Sequence, residues 1–411
     1  MKIVKVEDLH ADGGWRVFSF LKITTDHGVV GWSEFNESSW NGGLTLVIRK
    51  LAQHIIGQDP REVGRISAML TAITRMAPGG VNRQAVAAIE NACLDVKARA
   101  LDVPVYALFG GPYRQEVEAY WSHCGTFRVR NAQLFETVIG TPPLRTLDDM
   151  RALGHEARQR GFRAVKTNPI IFGPDGPVML NPGFGPQNLD FSGNPATGLI
   201  DGIAKQLGAL REGLGDQPGL LLDVNFSFKP EALRLLVQAI EPMRPLWLEA
   251  DLHAPQALAQ VRAQSQVPIA SLESIYGRGG YKPFLDAGAV DVAIIDVPWN
   301  GLMESVRIAN LAEVYEVNIA PHNFYGHLST FMSAHLCASV PNVRILEFEG
   351  DDVHWKDDLV TQPPQLVDGF LRIPTGPGWG TEVNEEAVRA HPPQQRVVSP
   401  WFDGGTVSAN T

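Results

Sequence analysis

Apolar and polar positions follow two different rhythms along the chain, and the change falls near residue 115. Before it, WRVFSFLKITTDHGVVGWSEF (15–35) alternates around a DHG turn, which predicts a β-hairpin. LTLVIRKLAQHIIG (44–57) and RQAVAAIENACLDVKARA (83–100) instead place apolar residues three and four apart, which predicts amphipathic helices. Residues 1–115 are therefore expected to form a separate α+β unit.

After it, short apolar runs recur: VEAYWSHC, FRAVKTN, LLLDVN, PLWLEA, PIASLES, DVAIIDV, VNIAPHN and VRILEFE. Amphipathic stretches such as PEALRLLVQAIE, APQALAQVRAQS and LMESVRIANLAEVYE lie between them and are long enough for crossover helices. Eight β/α repeats over 116–360 predict a closed (β/α)8 barrel, whose catalytic groups belong at the C-terminal rim of the strands. The Gly- and Pro-rich stretch 169–198 is too long for an ordinary connection and reads as a lid, a binding element or a decorative insertion. Residues 361–411 lack the barrel rhythm and are expected to pack back on the first unit.

Composition narrows the class. With 411 residues, 44% hydrophobic and 19% charged, the chain can bury a large core. A formal net charge of -10 without a basic cluster excludes nucleic acid as a partner. The start MKIVKVEDLHAD has no apolar h-region and no segment has 18 uninterrupted apolar residues, so neither secretion nor membrane insertion is expected. Cys93, Cys124 and Cys337 are odd in number and widely spaced, which argues against disulfides or a zinc site and for the reducing cytoplasm.

The chemistry is concentrated where the runs end. From the second run onward the closing residues are Lys166, Asp223, Glu249, Glu273, Asp296, His322 and Glu347. Any one of them alone would be a solvated rim residue, whereas a series of seven spaced by one β/α repeat calls for a common cause. Asp223, Glu249 and Glu273 would repel one another at the barrel mouth unless a hard divalent cation neutralised them, and an all-oxygen donor set suits Mg²⁺ better than zinc. Asp296 and His322 lie on neighbouring strands, where a carboxylate fixes the tautomer of an imidazole and raises its basicity, as a general base requires.

The series K-T-N, L-D-V-N, W-L-E-A, S-L-E-S, I-I-D-V, A-P-H-N and I-L-E resembles the enolase superfamily, in particular its mandelate racemase subgroup. The resemblance extends over nearly the whole chain, including AIENACLDVKARALDVPVYALFGG and GPGWGTEVNE. It implies an α+β capping domain on a modified (β/α)8 barrel of TIM type. It further implies proton abstraction α to a carboxylate with one Mg²⁺ on Asp223, Glu249 and Glu273, and Asp296 with His322 as the base dyad. Lys166 becomes a fixed positive charge near the substrate carboxylate. Glu347 becomes a protonated acid that hydrogen-bonds that carboxylate, with Glu349, of the same strand parity, as the alternative.

One departure is informative. The subgroup often has K-x-K on the second strand, its second Lys being a base on the face opposite the His; here that position is Asn168, and an amide cannot abstract a proton. This counts against a two-base racemase, and Asp296 stands where a cycloisomerase or dipeptide epimerase would want a Lys. What remains is a dehydratase of a sugar acid, aldonate or aldarate, that removes the α-proton, expels the β-hydroxyl and yields a 2-keto-3-deoxy acid. The alternatives are a racemase or epimerase of the same subgroup and a non-catalytic sugar-acid-binding barrel. Asn168 and Asn225 are expected to bond substrate hydroxyls or metal water. The cap loops GGWR (13–16) and NESSWNGG (36–43) would close the site with Trp15, Arg16, Ser39 and Trp40, with Arg16 placed to read a distal carboxylate. Tyr325 and His327 would touch the distal end or pack, His327 being an alternative acid, and His123 and Cys124 would line the pocket or be structural. The resemblance also implies an even-numbered homo-oligomer: dimer, tetramer or octamer.

Overall fold

The computed structural model of the chain describes residues 1–38, 41–180 and 197–394. The hairpin pattern forms an antiparallel sheet of β1 (Ile3–Asp12), β2 (Val17–Thr25) and β3 (Val30–Phe35). The helical patterns form Leu44–Ala52, Val63–Ile73 and Gly80–Ala100, the last lying against the sheet. Its small residues Ala85, Ala88 and Ala92 are fully buried, so helix and sheet backbones approach closely.

The apolar runs form the strands of one parallel sheet. β4 (Glu116–Ser122) and β5 (Ala164–Thr167) are followed by a small antiparallel hairpin, β6 (Ile170–Gly173) and β7 (Gly176–Met179), which stands outside that sheet. The sheet continues through β8 (Gly219–Asp223), β9 (Trp247–Glu249), β10 (Ile269–Ser271), β11 (Val292–Asp296), β12 (Asn318–His322) and β13 (Leu346–Glu349). β13 returns to pair with β4, and a bridge between Ile319 and Val343 joins β12 to the segment leading into β13, curling the sheet into the barrel.

Side-chain parity explains the rim. Tyr120, Ala164, Leu221, Trp247, Ile294, Ala320 and Ile345 pack together as an inner apolar layer. Successive residues of a strand point to opposite faces, so the residue two further on points the same way. Two residues beyond six of these positions stand Ser122, Lys166, Asp223, Glu249, Asp296 and His322, and beyond Ile345 stands Glu347. Each large inner side chain contributes about 1.5–3 kcal/mol by burial, so the layer that holds the barrel together also aims the polar ring above it.

β10 breaks this rule. It ends at Ser271, Leu272 has φ 94°, and the left-handed turn carries Glu273 round to the mouth.

Residues beyond 361 touch both halves of the molecule. β14 (Leu366–Val367) and β15 (Phe370–Arg372) form a hairpin whose second strand pairs with β4 of the barrel. Further on, Trp379 donates its backbone N–H to Asp95 and its indole N–H to the Trp32 carbonyl, both in the capping unit.

Candidate active site

Strand register sets the acids side by side: Asp223 pairs with Glu249, and Asp296 with His322. One oxygen from each of Asp223, Glu249 and Glu273 lies within 4.8 Å of the others. Among these groups lies a buried ammonium, Lys166, whose Nζ is 2.9 Å from Glu347 Oε1, 3.0 Å from Glu249 Oε2 and 3.6 Å from Asp223 Oδ2. One ammonium cannot keep that many buried carboxylates charged. Burial pushes Glu249 up to about 8 despite Lys166, with the Asp223 and Glu347 charges adding to the rise, and burial lifts Glu273 well above the ordinary carboxylate range. Glu249 Oε1 is buried without a hydrogen-bond partner among the described residues. An all-carboxylate cluster with excess negative charge and an oxygen left unused has the donor chemistry of a hard divalent cation site.

The imidazole is held from one side. His322 Nδ1 lies 2.7 Å from Asp296 Oδ2, which also accepts the Tyr325 hydroxyl at 2.6 Å, while Asp296 Oδ1 accepts the Trp299 backbone N–H at 2.7 Å. With Nδ1 engaged, Nε2 is the nitrogen turned to the acids, 3.3 Å from Glu273 Oε2. Burial works to lower the His322 pKa, but the Glu273 charge and the Asp296 bond overcome it and raise it to about 10. Trp299, Phe324 and Tyr325 surround the ring at centroid distances of 5.5, 5.2 and 5.6 Å.

The surroundings of the other expected residues differ from one to the next. The surroundings of Glu347 favour its ionised form: burial works against it, but Lys166, His322 and His123 together with the Ser122 hydroxyl hold the carboxyl well below the usual range. It accepts from Ser122 Oγ at 2.5 Å and from the Asn323 N–H at 2.7 Å. Glu349 has the opposite tendency, burial raising it well above the ordinary value, and its Oε2 lies 3.1 Å from His123 Nδ1. Arg16 is already engaged: Nη2 pairs with Asp352, an acid it shares with Lys356, and Nη1 donates to the Phe324 carbonyl. Tyr325 belongs to the dyad rather than to a distal wall. His327 Nε2 is taken by Asp357 at 2.6 Å, and burial depresses its pKa to about 4, which leaves no proton to give at neutral pH.

The side-chain amide of Asn168 and the backbone of Asn225 are also used structurally. Asn168 accepts from Thr126 Oγ1 at 2.9 Å and donates to the Asp223 carbonyl at 3.1 Å, tying β5 to β8. Asn225 is half-buried with φ 44°, its N–H on Asp223 Oδ1 and its carbonyl accepting the Asp251 N–H. His123 stacks on Phe127 at 4.6 Å and burial lowers its pKa to about 3, while Cys124 is buried. Ser39 and Trp40, and residues 181–196 of the long insertion, lie outside the described residues.

Three residues near this cluster escape the sequence reading. Asp251 bonds Ser271 and Leu272 and is visible only as a second acid at Glu249's parity. Trp299 caps onto Asp296, which D-V-P-W spells locally. Glu34 on β3 reaches the backbone of Gly326 and Ser329, a contact across some 290 residues that no local pattern signals.

The structure is thus an α+β cap on a barrel whose strand ends bring together three acids that could hold a metal ion. Residues 149–387 match the enolase C-terminal domain-like family, and residues 14–110 match the N-terminal domain of the mandelate racemase / muconate lactonizing enzyme family. The chain belongs to this family, whose members are enzymes acting on small molecules. A D-xylonate dehydratase from Haloferax volcanii is 29% identical over 402 residues, covering 95% of this chain and 89% of that protein. The structure of a candidate L-alanine-DL-glutamate epimerase from Burkholderia xenovorans strain LB400 is 43% identical with a TM-score of 0.92, covering 96% of this chain and 99% of that one. A second structure bearing the same description, bound to magnesium and fumarate, matches equally well and is covered to 97%.

Proposed function

We propose that the protein is a Mg²⁺-dependent dehydratase of sugar acids, converting R–CHOH–CHOH–COO⁻ to R–CH₂–CO–COO⁻ and water. The observation that carries this reading is a single imidazole base with an amide, Asn168, where the opposite base would stand. The likeness to a D-xylonate dehydratase over nearly the full chain supports it, and a relative holding magnesium and a carboxylic acid supports a metal and a carboxylate at this site.

Asp223, Glu249 and Glu273 would hold the ion. Bound there, Mg²⁺ supplies positive charge against the substrate carboxylate, which makes the α-hydrogen acidic. Lys166 adds a second, fixed charge, and Glu347 orients it. His322 Nε2 takes the α-proton while Asp296 and Tyr325 hold the ring from the Nδ1 side. The imidazolium then returns that proton to the β-hydroxyl, which leaves as water, and the enol product tautomerises to the 2-keto-3-deoxy acid. One residue thus serves as base and acid in turn.

We read the substrate as a monoacid. Arg16, the cation expected to meet a distal carboxylate, already spends its guanidinium on Asp352 and the Phe324 carbonyl, and 181–196 contains no Lys, Arg or His whatever its placement.

The epimerase reading is favoured by the description of the 43% identical relative, and it is opposed by Asn168 and by Asp296 in place of lysines. A screen of aldonates and aldarates with Mg²⁺, read for keto-acid product and run in D₂O, separates the two. Keto acid with deuterium at C3 supports dehydration. Inversion at C2 with deuterium and no keto acid establishes epimerisation instead.

A further inference from the structure

The described structure holds the segment after the base from above, at three successive residues, by groups of the capping unit and of the dyad. Arg16 donates to the Phe324 carbonyl. Glu34, 2% exposed, accepts the Gly326 N–H on Oε1 at 2.6 Å and the Ser329 N–H on Oε2 at 2.9 Å. Between them Tyr325 sends its hydroxyl down to Asp296.

We infer that the capping unit sets the alignment of the base, with Glu34 and Arg16 acting as positioning residues that clamp 324–326 so that Tyr325 fixes the Asp296–His322 pair. The inference rests on His322 being the base of the proposed reaction.

The helix His327–Ser339 begins with Gly326, which has no side chain to satisfy the free N–H groups of the first turn. Glu34 does this from another unit of the fold, and a carboxylate at a helix N-terminus is electrostatically favoured. The position is shaped for it. A Cβ at residue 326 would lie 2.6–2.9 Å from the Glu34 carboxylate, while φ of –77° is open to any residue, so glycine is required there for room and not for conformation. Asp296 completes the chain of contacts, because its Oδ2 accepts from both Tyr325 and His322. A displacement of 324–326 therefore reaches the imidazole through the Tyr325 hydroxyl on Asp296 and through the Phe324 ring beside it. A purely structural role would place Glu34 anywhere along the cap–barrel contact; its bonds fall instead four and seven residues after the base.

The test uses the full chain with Mg²⁺ and whichever sugar acid it turns over. Glu34→Gln keeps the size but sets an NH₂ against one of the two N–H donors. Expected is a fall in kcat of about tenfold to a hundredfold, the scale of a small misplacement of a reacting group, with KM unchanged and exchange of the α-hydrogen slowed in step. Gly326→Ala, which displaces Glu34 from the opposite side, and Tyr325→Phe, which keeps the ring, should act in the same direction. Circular dichroism melts identify any variant that has simply lost its fold. Folded variants with wild-type kcat, or with the whole effect in KM, overturn the clamp. The base reading is tested separately: activity retained in His322→Asn sinks that reading, whereas a dead His322→Asn beside a normal Glu34→Gln sinks the clamp alone.

Discussion

At the scale of the residue, the decisive feature is the imbalance around Lys166. A single buried ammonium faces Glu249, Glu347 and Asp223 within 3.6 Å. Removing one partner of a buried ionic group costs about 3–5 kcal/mol because the remaining charge is left uncompensated. Lys166→Met should accordingly melt well below wild type in EDTA, and Mg²⁺ should recover more of the loss than it adds to wild type; equal gains in both would mean that the ion does not bind among these acids. His322→Asn should lower kcat by about a thousandfold, within the range for loss of a positioned general base, while equilibrium dialysis still detects Mg²⁺. Conversely, Asp223→Asn combined with Glu273→Gln should abolish Mg²⁺ binding in the same dialysis. Apart from Glu273, these residues were legible because strand parity repeats: each follows an apolar inner-layer residue by two. Glu347 and Glu349 share that parity, so pattern alone could not tell which would be the neutral one. The difference is three-dimensional, since Lys166 reaches the first and not the second.

At the scale of the element, Asp95 on the helix Gly80–Ala100 ties three segments together. It accepts the Trp32 N–H on Oδ2 and the Trp379 N–H on Oδ1, and Arg99 lies 3.0 Å away. Gly378 passes so close, with φ 69°, that a Cβ there would fall 2.0 Å from Asp95 Oδ1. This contact accounts for two distant sequence phrases, AIENACLDVKARA and GPGWGTEVNE, having one purpose. Asp95→Asn leaves one buried donor facing an NH₂ group and should lower the urea-unfolding free energy by about 1–3 kcal/mol, with kcat intact in the folded protein. The strands and their order were readable from periodicity. The left-handed turn at Leu272 was not, because nothing in S-L-E-S distinguishes a strand that stops at Ser271, short of its acid Glu273.

At the scale of the whole molecule, stability should depend on pH through histidines that are buried neutral. His335 is fully buried, its Nδ1 accepting the Tyr106 N–H, and burial depresses its pKa from 6.5 to about 3. Between these values the unfolded chain binds the proton and the folded one does not, so the stabilisation is complete above pH 6.5 and is lost as pH falls towards 3. By pH 4 the loss from this one group should reach about 3 kcal/mol. Urea titrations at pH 7 and pH 4 measure it, and His335→Gln, which can still accept the Tyr106 N–H, should flatten the difference; an unchanged slope would refute the assignment. Contacts of this range were also what the sequence could not supply. Arg16 finds Asp352 across 336 positions, and only the folded molecule shows that its guanidinium is already engaged.

The edge of β4 bears on how the molecule is made. Its first half is completed by β15 and its second half by β13, both supplied by the last third of the chain. A ribosome therefore emits the barrel's opening strand more than two hundred residues before either neighbour on that side exists. Until then the strand presents a bare, pairing-competent flank, the kind of surface on which nascent chains stick to one another. Shortening the gene to end after residue 360 should yield inclusion bodies even though the whole acidic ring is retained.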